Sequence, residues 1–371
     1  MGLPLQGLTV VAIEQAVAAP FATSRLADAG AHVIKIERPE GDFARGYDDV
    51  AKGQASYFVW LNRGKDSVVL DLATPEGKAE LARLLDGADV LVQNLKRGAL
   101  AKLGFTFDRL AQDWPRLITC SISGYGEAGP MADRKAYDLL IQAESGLCSI
   151  TGGPESPSRV GTSLVDIATG ATAHAAILEA LIQRGITGKG ANISVSMFDV
   201  MADWLTVPLL NHEGGKSPKR LGLAHPSISP YSVFACKDGK QVLISVQSDR
   251  EWRKLADVFL GRPELGTDPR FATNVARVAN RPQTDALVAA GFARRDEAEA
   301  IAALIASDVA FASVNDMQGL SQHPHLRRIS VDTPNGPVLY PAPAAVFQGD
   351  ERRYGPVPAL GMAPAKAKAT A

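Results

Sequence analysis

Residues 8–13 (LTVVAI), 18–30 (AAPFATSRLADAG) and 31–37 (AHVIKIE) decide the fold. The first and third are short apolar runs of strand length. Between them Pro20 stands where a helix opens and Gly30 where one closes. Strand, helix and strand within about 30 residues make a βαβ unit, whose strands run parallel. Working outward, the alternation continues. SVVLDL (67–72) predicts a strand, PEGKAELARLL (75–85) a helix and DVLVQN (89–94) a strand. Residues 99–111 predict a helix, and LITCSIS (117–123) a further strand. The fold class is therefore α/β, with a Rossmann-like parallel sheet.

Residues 167–185 predict a long helix ending at Gly185, and ANISVSMFDVMADWLTVPLL a strand over 191–197 that then turns helical. The stretch 211–230 is rich in Gly, Pro and basic residues and reads as a connector. Beyond it the rhythm changes. YSVFACKDGKQVLISV predicts a hairpin turning at Lys237-Asp238-Gly239, followed by helices near 250–260, 280–292 and 296–307. The expected division is a large domain over 1–200, a linker over 201–225 and a smaller α+β domain over 226–325. The Ala/Lys-rich residues 362–371 read as a disordered tail.

Composition narrows the function. The 371 residues carry 39 Lys+Arg against 40 Asp+Glu, a net charge of -1. That balance speaks against a nucleic-acid partner held by a broad basic face. Three separated cysteines, Cys120, Cys148 and Cys236, suggest neither a disulfide framework nor a zinc site. The N-terminal residues lack a basic stretch followed by an apolar core, and no run of 18 apolar residues occurs. The expectation is a cytoplasmic protein with no membrane partner.

Several residues are candidates for chemistry. Gly124-Tyr-Gly126-Glu-Ala-Gly129 matches G-x-G-x-x-G, but Pro130 and a polar segment follow where the dinucleotide fingerprint needs an apolar helix. No NAD site is expected there. Arg38, Arg63, Lys65, Lys96, Arg97, Lys102, Arg134 and Lys135 fall at strand ends or turns. Ligands of open parallel sheets lie beyond the carboxyl ends of strands, so an anionic ligand is one reading and solvated surface charge the other. Asp166 has two readings as well. Ser163 and Asp166 have capping-box spacing, which suits a helix start. A carboxylate facing the cleft can instead attack an acyl carbon. The histidines form no metal-ligand pair.

Taken together, LADAGAHVIKIERPEGDFAR (26–45), LNRGKDSVVLDL (61–72), ADVLVQNLKRGALAKLGF (88–105), residues 117–147 and VGTSLVDIATG (160–170) resemble the class III CoA-transferases. That family includes formyl-CoA and carnitine CoA-transferases and α-methylacyl-CoA racemases. PYSVFACKDGKQVLISVQSDREWRKL (230–255) carries the resemblance into the second domain. It implies that residues 326–361 return to the large domain, and that two subunits interlock into a homodimer. It implies coenzyme A thioesters as substrates, no metal, and Asp166 as a nucleophile that passes through an aspartyl-CoA thioester. The positions matching the family's CoA contacts are Ala18, Arg38, Asn94, Leu95, Lys102, Leu103, Lys135 and Tyr137. Gln15, Gly124, Asp138 and His225 are implied as substrate or supporting residues.

Two departures refine this. Where the racemases carry a histidine base, this chain has Tyr137, whose phenol titrates near 10. A 2-methylacyl-CoA racemase is thus the disfavoured alternative, and a non-catalytic acyl-CoA-binding relative the other. Val17 stands where formyl-CoA transferases carry glutamine, which speaks against formate and oxalate. DWLTVPLL and LGLAHPSISPYSVF resemble members handling mesaconate, itaconate, citramalate or succinate, including intramolecular C1–C4 transfer on mesaconyl-CoA.

Overall fold

The computed structural model describes residues 2–349 and 352–362. Residues 363–371 of the expected tail lie outside the described residues. The chain forms two compact units, one of residues 1–148, 159–210 and 327–371 and the other of residues 149–158 and 211–326.

The first unit is built on six parallel strands: β1 (Thr9–Ile13), β2 (His32–Glu37), β3 (Lys65–Val69), β4 (Val90–Gln93), β5 (Ile118–Ser123) and β6 (Asn192–Ser196). Their order is β3-β2-β1-β4-β5-β6. This is the doubly wound order, and the direction of winding reverses between β1 and β4. Helices α1 (Ala18–Asp28), α2 (Ser56–Leu61), α3 (Pro75–Leu85), α4 (Ala99–Lys102), α5 (Phe107–Asp113), α6 (Asp138–Glu144), α7 (Leu147–Ile150), α8 (Leu164–Thr187) and α9 (Met197–Trp204) connect the strands. One apolar cluster joins Val10, Val33, Val92 and Ile118 to Ala22 and Leu26 of α1 and Ala173 and Ile177 of α8. A second joins Val11, Ile34 and Leu91 to Leu81 and Leu85 of α3 and Leu110 of α5. The strands are therefore buried on both faces, as their continuous apolar runs require.

The returning segment pairs with this unit. Gly64 N–H donates to Pro356 O (2.8 Å), and Ser67 N–H to Met362 O (3.2 Å). Strands β10 (Arg328–Val331) and β11 (Val338–Pro341) form an antiparallel pair there. The second unit carries an antiparallel sheet of β7 (Tyr231–Ala235), β8 (Gln241–Ser245) and β9 (Ala310–Ser313). Its core gathers Phe234, Ile244, Trp252, Phe259, Val288 and Phe292.

Four expectations need adjustment. The strand expected at 67–72 lies at 65–69, because Lys65 and Ser67 are buried and satisfied by side-chain partners. The helix expected over 99–111 is broken by Gly104, whose φ of 96° is left-handed. The long helix runs from Leu164 to Thr187 and ends at Gly188 (φ 73°) rather than Gly185. Finally, much of the expected linker over 201–225 is helical, through Trp204 and again over Thr206–Glu213.

Candidate active site

The carboxyl ends of β1 and β4 open into a cavity of about 460 Å³. At this winding reversal Asn94 holds the two strands in register. Its Oδ1 accepts from Gln15 N–H (3.0 Å) and its Nδ2 donates to Gln15 O (2.8 Å). The next residue, Ala16, has φ 62°, a conformation an L side chain rarely adopts. Its N–H is held by Asp42 Oδ1 (3.2 Å). The turn delivers the chain into α1, which has no side-chain cap and no acid in its first turn. Val17 and Ala18 line the cavity, so the start of α1, whose leading N–H groups have no side-chain cap, lies beside it.

Beneath this turn lies a fully buried charge network. Glu14 Oε1 accepts from Lys65 Nζ (2.6 Å) and Lys35 Nζ (3.4 Å), and Glu14 Oε2 from Thr23 Oγ1 (2.6 Å). Lys35 also donates to Asp42 Oδ2 (2.9 Å). Burial pushes the Glu14 carboxyl up, but the ammonium groups of Lys65 and Lys35 outweigh it and hold the group below its usual range. Burial, then the neighbouring Lys35, brings Lys65 down to about 8 despite Glu14. Glu37 takes a two-pronged bond from Arg45 (2.8 and 2.7 Å) and a third from Ser67. Burial opposes these bonds, yet they bring Glu37 to about 2.

Asp166 lines the same cavity from the first turn of α8. The capping-box reading of Ser163 and Asp166 does not hold. Ser163 Oγ is hydrogen-bonded to Tyr57 OH (2.8 Å) and makes no cap bond. The cap comes instead from Asp138, the first residue of α6. Its Oδ1 accepts from Val165 N–H (2.8 Å) and Asp166 N–H (3.2 Å). Its Oδ2 accepts from Gln142 Nε2 (2.7 Å). The helix start is thus satisfied without the Asp166 carboxylate, which makes no hydrogen bond to any described residue. Burial, and next the charge of Asp138, push Asp166 up to about 7. A half-buried acid with no cation is a stronger nucleophile once ionised than an ordinary carboxylate.

Position along the chain is set by Gly170, one turn after Asp166. A Cβ there would stand 2.5 Å from Ala18 O and 2.8 Å from Phe21 Cβ. Only glycine lets α8 cross α1 this closely, which brings the starts of both helices to one cavity.

Of the residues named from sequence, Gln15, Val17, Ala18, Asn94, Leu95, Lys96, Arg97, Gly124, Arg134, Lys135, Tyr137, Asp138, Ser163 and Asp166 line this cavity. Gly124 packs tightly, since a Cβ would meet Ala136 Cβ at 2.2 Å. Gly126 N–H bonds Ser123 Oγ (3.0 Å), and a loop follows instead of a dinucleotide-binding helix. Arg38 lines a neighbouring cavity of about 250 Å³, which shares Gln15 and Leu95 with the first. Lys102 and Leu103 line neither. They end α4, where Lys102 is exposed and Leu103 packs on the apolar core. His225 belongs to the second unit, where it stacks on Tyr231 at 5.2 Å.

The site also contains residues that sequence reasoning missed. Phe43, Tyr47 and Tyr57 form an aromatic wall, with ring centroids 5.7 and 6.0 Å apart. Burial, then the charges of Asp42 and Asp166, push Tyr47 to about 12. Arg159 lines the cavity too. Arg97 is matched by Asp133 (3.2 Å) and Glu127 (3.8 Å), and Arg134 by Glu144 (3.4 Å). Lys96, Lys135 and Arg159 are exposed and have no ion-pair partner among the described residues. Among those residues no three of His, Cys, Asp and Glu come together as a metal ion would need.

This fold and site define an α/β protein with a polar cleft at its winding reversal, lined by both basic and acidic side chains. The chain belongs to CoA-transferase family III, whose model matches residues 5–363. It is 36% identical to a succinate–glutarate CoA-transferase of Agrobacterium fabrum, over 96% of this chain and 93% of that protein. It is 43% identical to an acetyl-CoA:oxalate CoA-transferase of Acetobacter aceti, over 77% of this chain and 74% of the other. A crystal structure of a CAIB/BAIF family protein from Brucella suis superimposes with a TM-score of 0.82 at 37% identity, covering 97% of each chain.

Proposed function

We propose that this chain moves CoA between an acyl-CoA thioester and a small dicarboxylate, with Asp166 as the nucleophile. One observation carries the reading. The Asp166 carboxylate lines the cavity with no ion pair or hydrogen bond to any described residue, while Asp138 takes over the helix cap. Ionised Asp166 attacks the thioester carbonyl. The C–S bond breaks, the thiolate leaves, and a mixed anhydride remains on the aspartate. The thiolate then attacks the aspartyl carbonyl, breaks its C–O bond and releases the donor acid. The acceptor carboxylate attacks the resulting aspartyl thioester, and the thiolate returns to the acceptor's acyl group, freeing Asp166. Lys96 and Lys135, which have no ion-pair partner among the described residues, suit the CoA phosphates, and the neighbouring cavity under Arg38 suits the nucleotide end.

The names of the relatives support dicarboxylates as the substrate class, with succinate, glutarate, mesaconate, itaconate and citramalate as candidates. Val17 spoke against oxalate, but the relative named for oxalate returns that diacid to the candidates. Trp204, Val207, Leu209 and Leu210, exposed on the helices over 197–213, support an interlocked homodimer as the assembly.

The test is incubation with succinyl-CoA, acetyl-CoA or mesaconyl-CoA and a panel of these acids, with products read by mass spectrometry. A new CoA ester that is lost in Asp166→Ala is expected. No new ester from any pair, or one that survives the substitution, overturns the proposal. Exchange of the α-proton with solvent deuterium, without transfer, supports the racemase instead.

A further inference from the structure

We propose that Arg159 receives the far carboxylate of the diacid and so selects dicarboxylates over monocarboxylates. The inference rests on the CoA-transfer reading above and deepens it.

A diacid brings two negative charges toward a cavity already lined by three acids, Asp133, Asp138 and Asp166, of which only Asp133 is paired with a cation. One carboxylate must reach the carbonyl carbon of the Asp166 thioester, and the other needs a cation to offset its repulsion and lost hydration. Five basic residues line the cavity. Arg97 and Arg134 already have acidic partners. Lys96 and Lys135 lie on loops that follow β4 and β5, where a parallel sheet takes up phosphates. Arg159 arrives on a different element, the chain that enters α8, seven residues before the nucleophile. It has no ion-pair partner among the described residues.

The backbone beside Arg159 is fixed to the same frame that fixes Asp166. Buried Gln142 accepts from Val160 N–H through Oε1 (2.9 Å). Its Nε2 donates to Asp138 Oδ2 (2.7 Å) and Thr162 O (3.4 Å). Asp138 Oδ1 in turn takes the N–H groups of Val165 and Asp166. One pair of side chains therefore ties the backbone beside Arg159 to the backbone that carries Asp166. A guanidinium is the group whose planar fork binds a carboxylate in two-pronged fashion, which lysine cannot reproduce.

Steady-state kinetics of the full-length wild type, Arg159→Met and Arg159→Lys test this with glutarate and with glutaric monoamide, its length-matched analogue. In the methionine variant the ratio of kcat/KM for glutarate over the monoamide is expected to fall about 10- to 100-fold, chiefly through KM. Lysine should recover part of it. Affinity for free CoA, measured by calorimetry, should stay that of the wild type. An unchanged ratio, or equal losses on both acceptors with weaker CoA binding, overturns the assignment and makes Arg159 a phosphate contact or a bystander. A wild-type protein that transfers no CoA to any diacid overturns the underlying reading and this inference with it. A wild type that transfers CoA while the ratio in Arg159→Met is unmoved overturns the inference alone.

Discussion

Two groups of acids in the first unit are treated oppositely. Under the β1 turn, Glu14 and Asp42 face Lys35 and Lys65, and the negative and positive charges match. At the start of α8, Asp138 and Asp166 sit together with no cation bonded to either. The matched group keeps its acid ionised and shapes a strained turn at Ala16. There burial, and next the unmatched charge of Asp138, push Asp166 up to about 7, where its proton comes and goes near neutrality. Matched buried charge is architecture, and unmatched buried charge is chemistry waiting for a ligand.

Substitutions can break that contrast from either side. Asp166→Asn should lower kcat/KM by about 10³-fold or more while the far-UV circular dichroism is unaltered. A variant that keeps a tenth of the activity would remove Asp166 from the mechanism. In the matched group, Lys35→Met strands Glu14 and Asp42 with too little positive charge. Denaturant titration should show a loss of about 3–5 kcal/mol. A loss below about 1 kcal/mol would mean the network is not the fixed element described here.

Asp138→Asn sharpens the comparison, because asparagine can still accept from the helix N–H groups. Wild-type kcat/KM should fall as pH drops through about 7, where Asp166 takes up its proton. Removing the Asp138 charge should move that limb to lower pH, and an unmoved limb would deny the coupling. The smallest effect is on stability. Asp166 binds its proton more tightly folded than unfolded, so its contribution is present below its unfolded value and is lost as pH rises through about 7. Asp166→Asn escapes that loss. Its melting temperature should exceed the wild type's by about 2 °C at pH 8, with the gap closing toward pH 4.

The β1-α1-β2 unit was legible because apolar runs and the punctuation of Pro20 and Gly30 are local signals. Lys65 was not, since a lysine opening a strand reads as surface until Glu14, 51 positions away, is placed against it. Asp166 stood out in sequence, but its role hung between cap and nucleophile. Only the arrival of Asp138 from α6 shows how the cap is satisfied. Tyr47 and Tyr57 carried no signal at all, because one lies in a polar stretch and the other in a short apolar helix that reads as core, and both gain meaning only from what they face. The resemblance supplied Ala18, Asn94 and Tyr137, which the fold gathers at one cavity. It also supplied Lys102 and His225, which the fold does not bring there.

The central claim is that CoA becomes covalently attached to Asp166. Protein quenched during turnover of succinyl-CoA should be digested and its peptides weighed. The account predicts a CoA thioester on the peptide containing Asp166, absent from Asp166→Asn and discharged by added diacid. Transfer that proceeds with no adduct there, or an adduct on another residue, contradicts it.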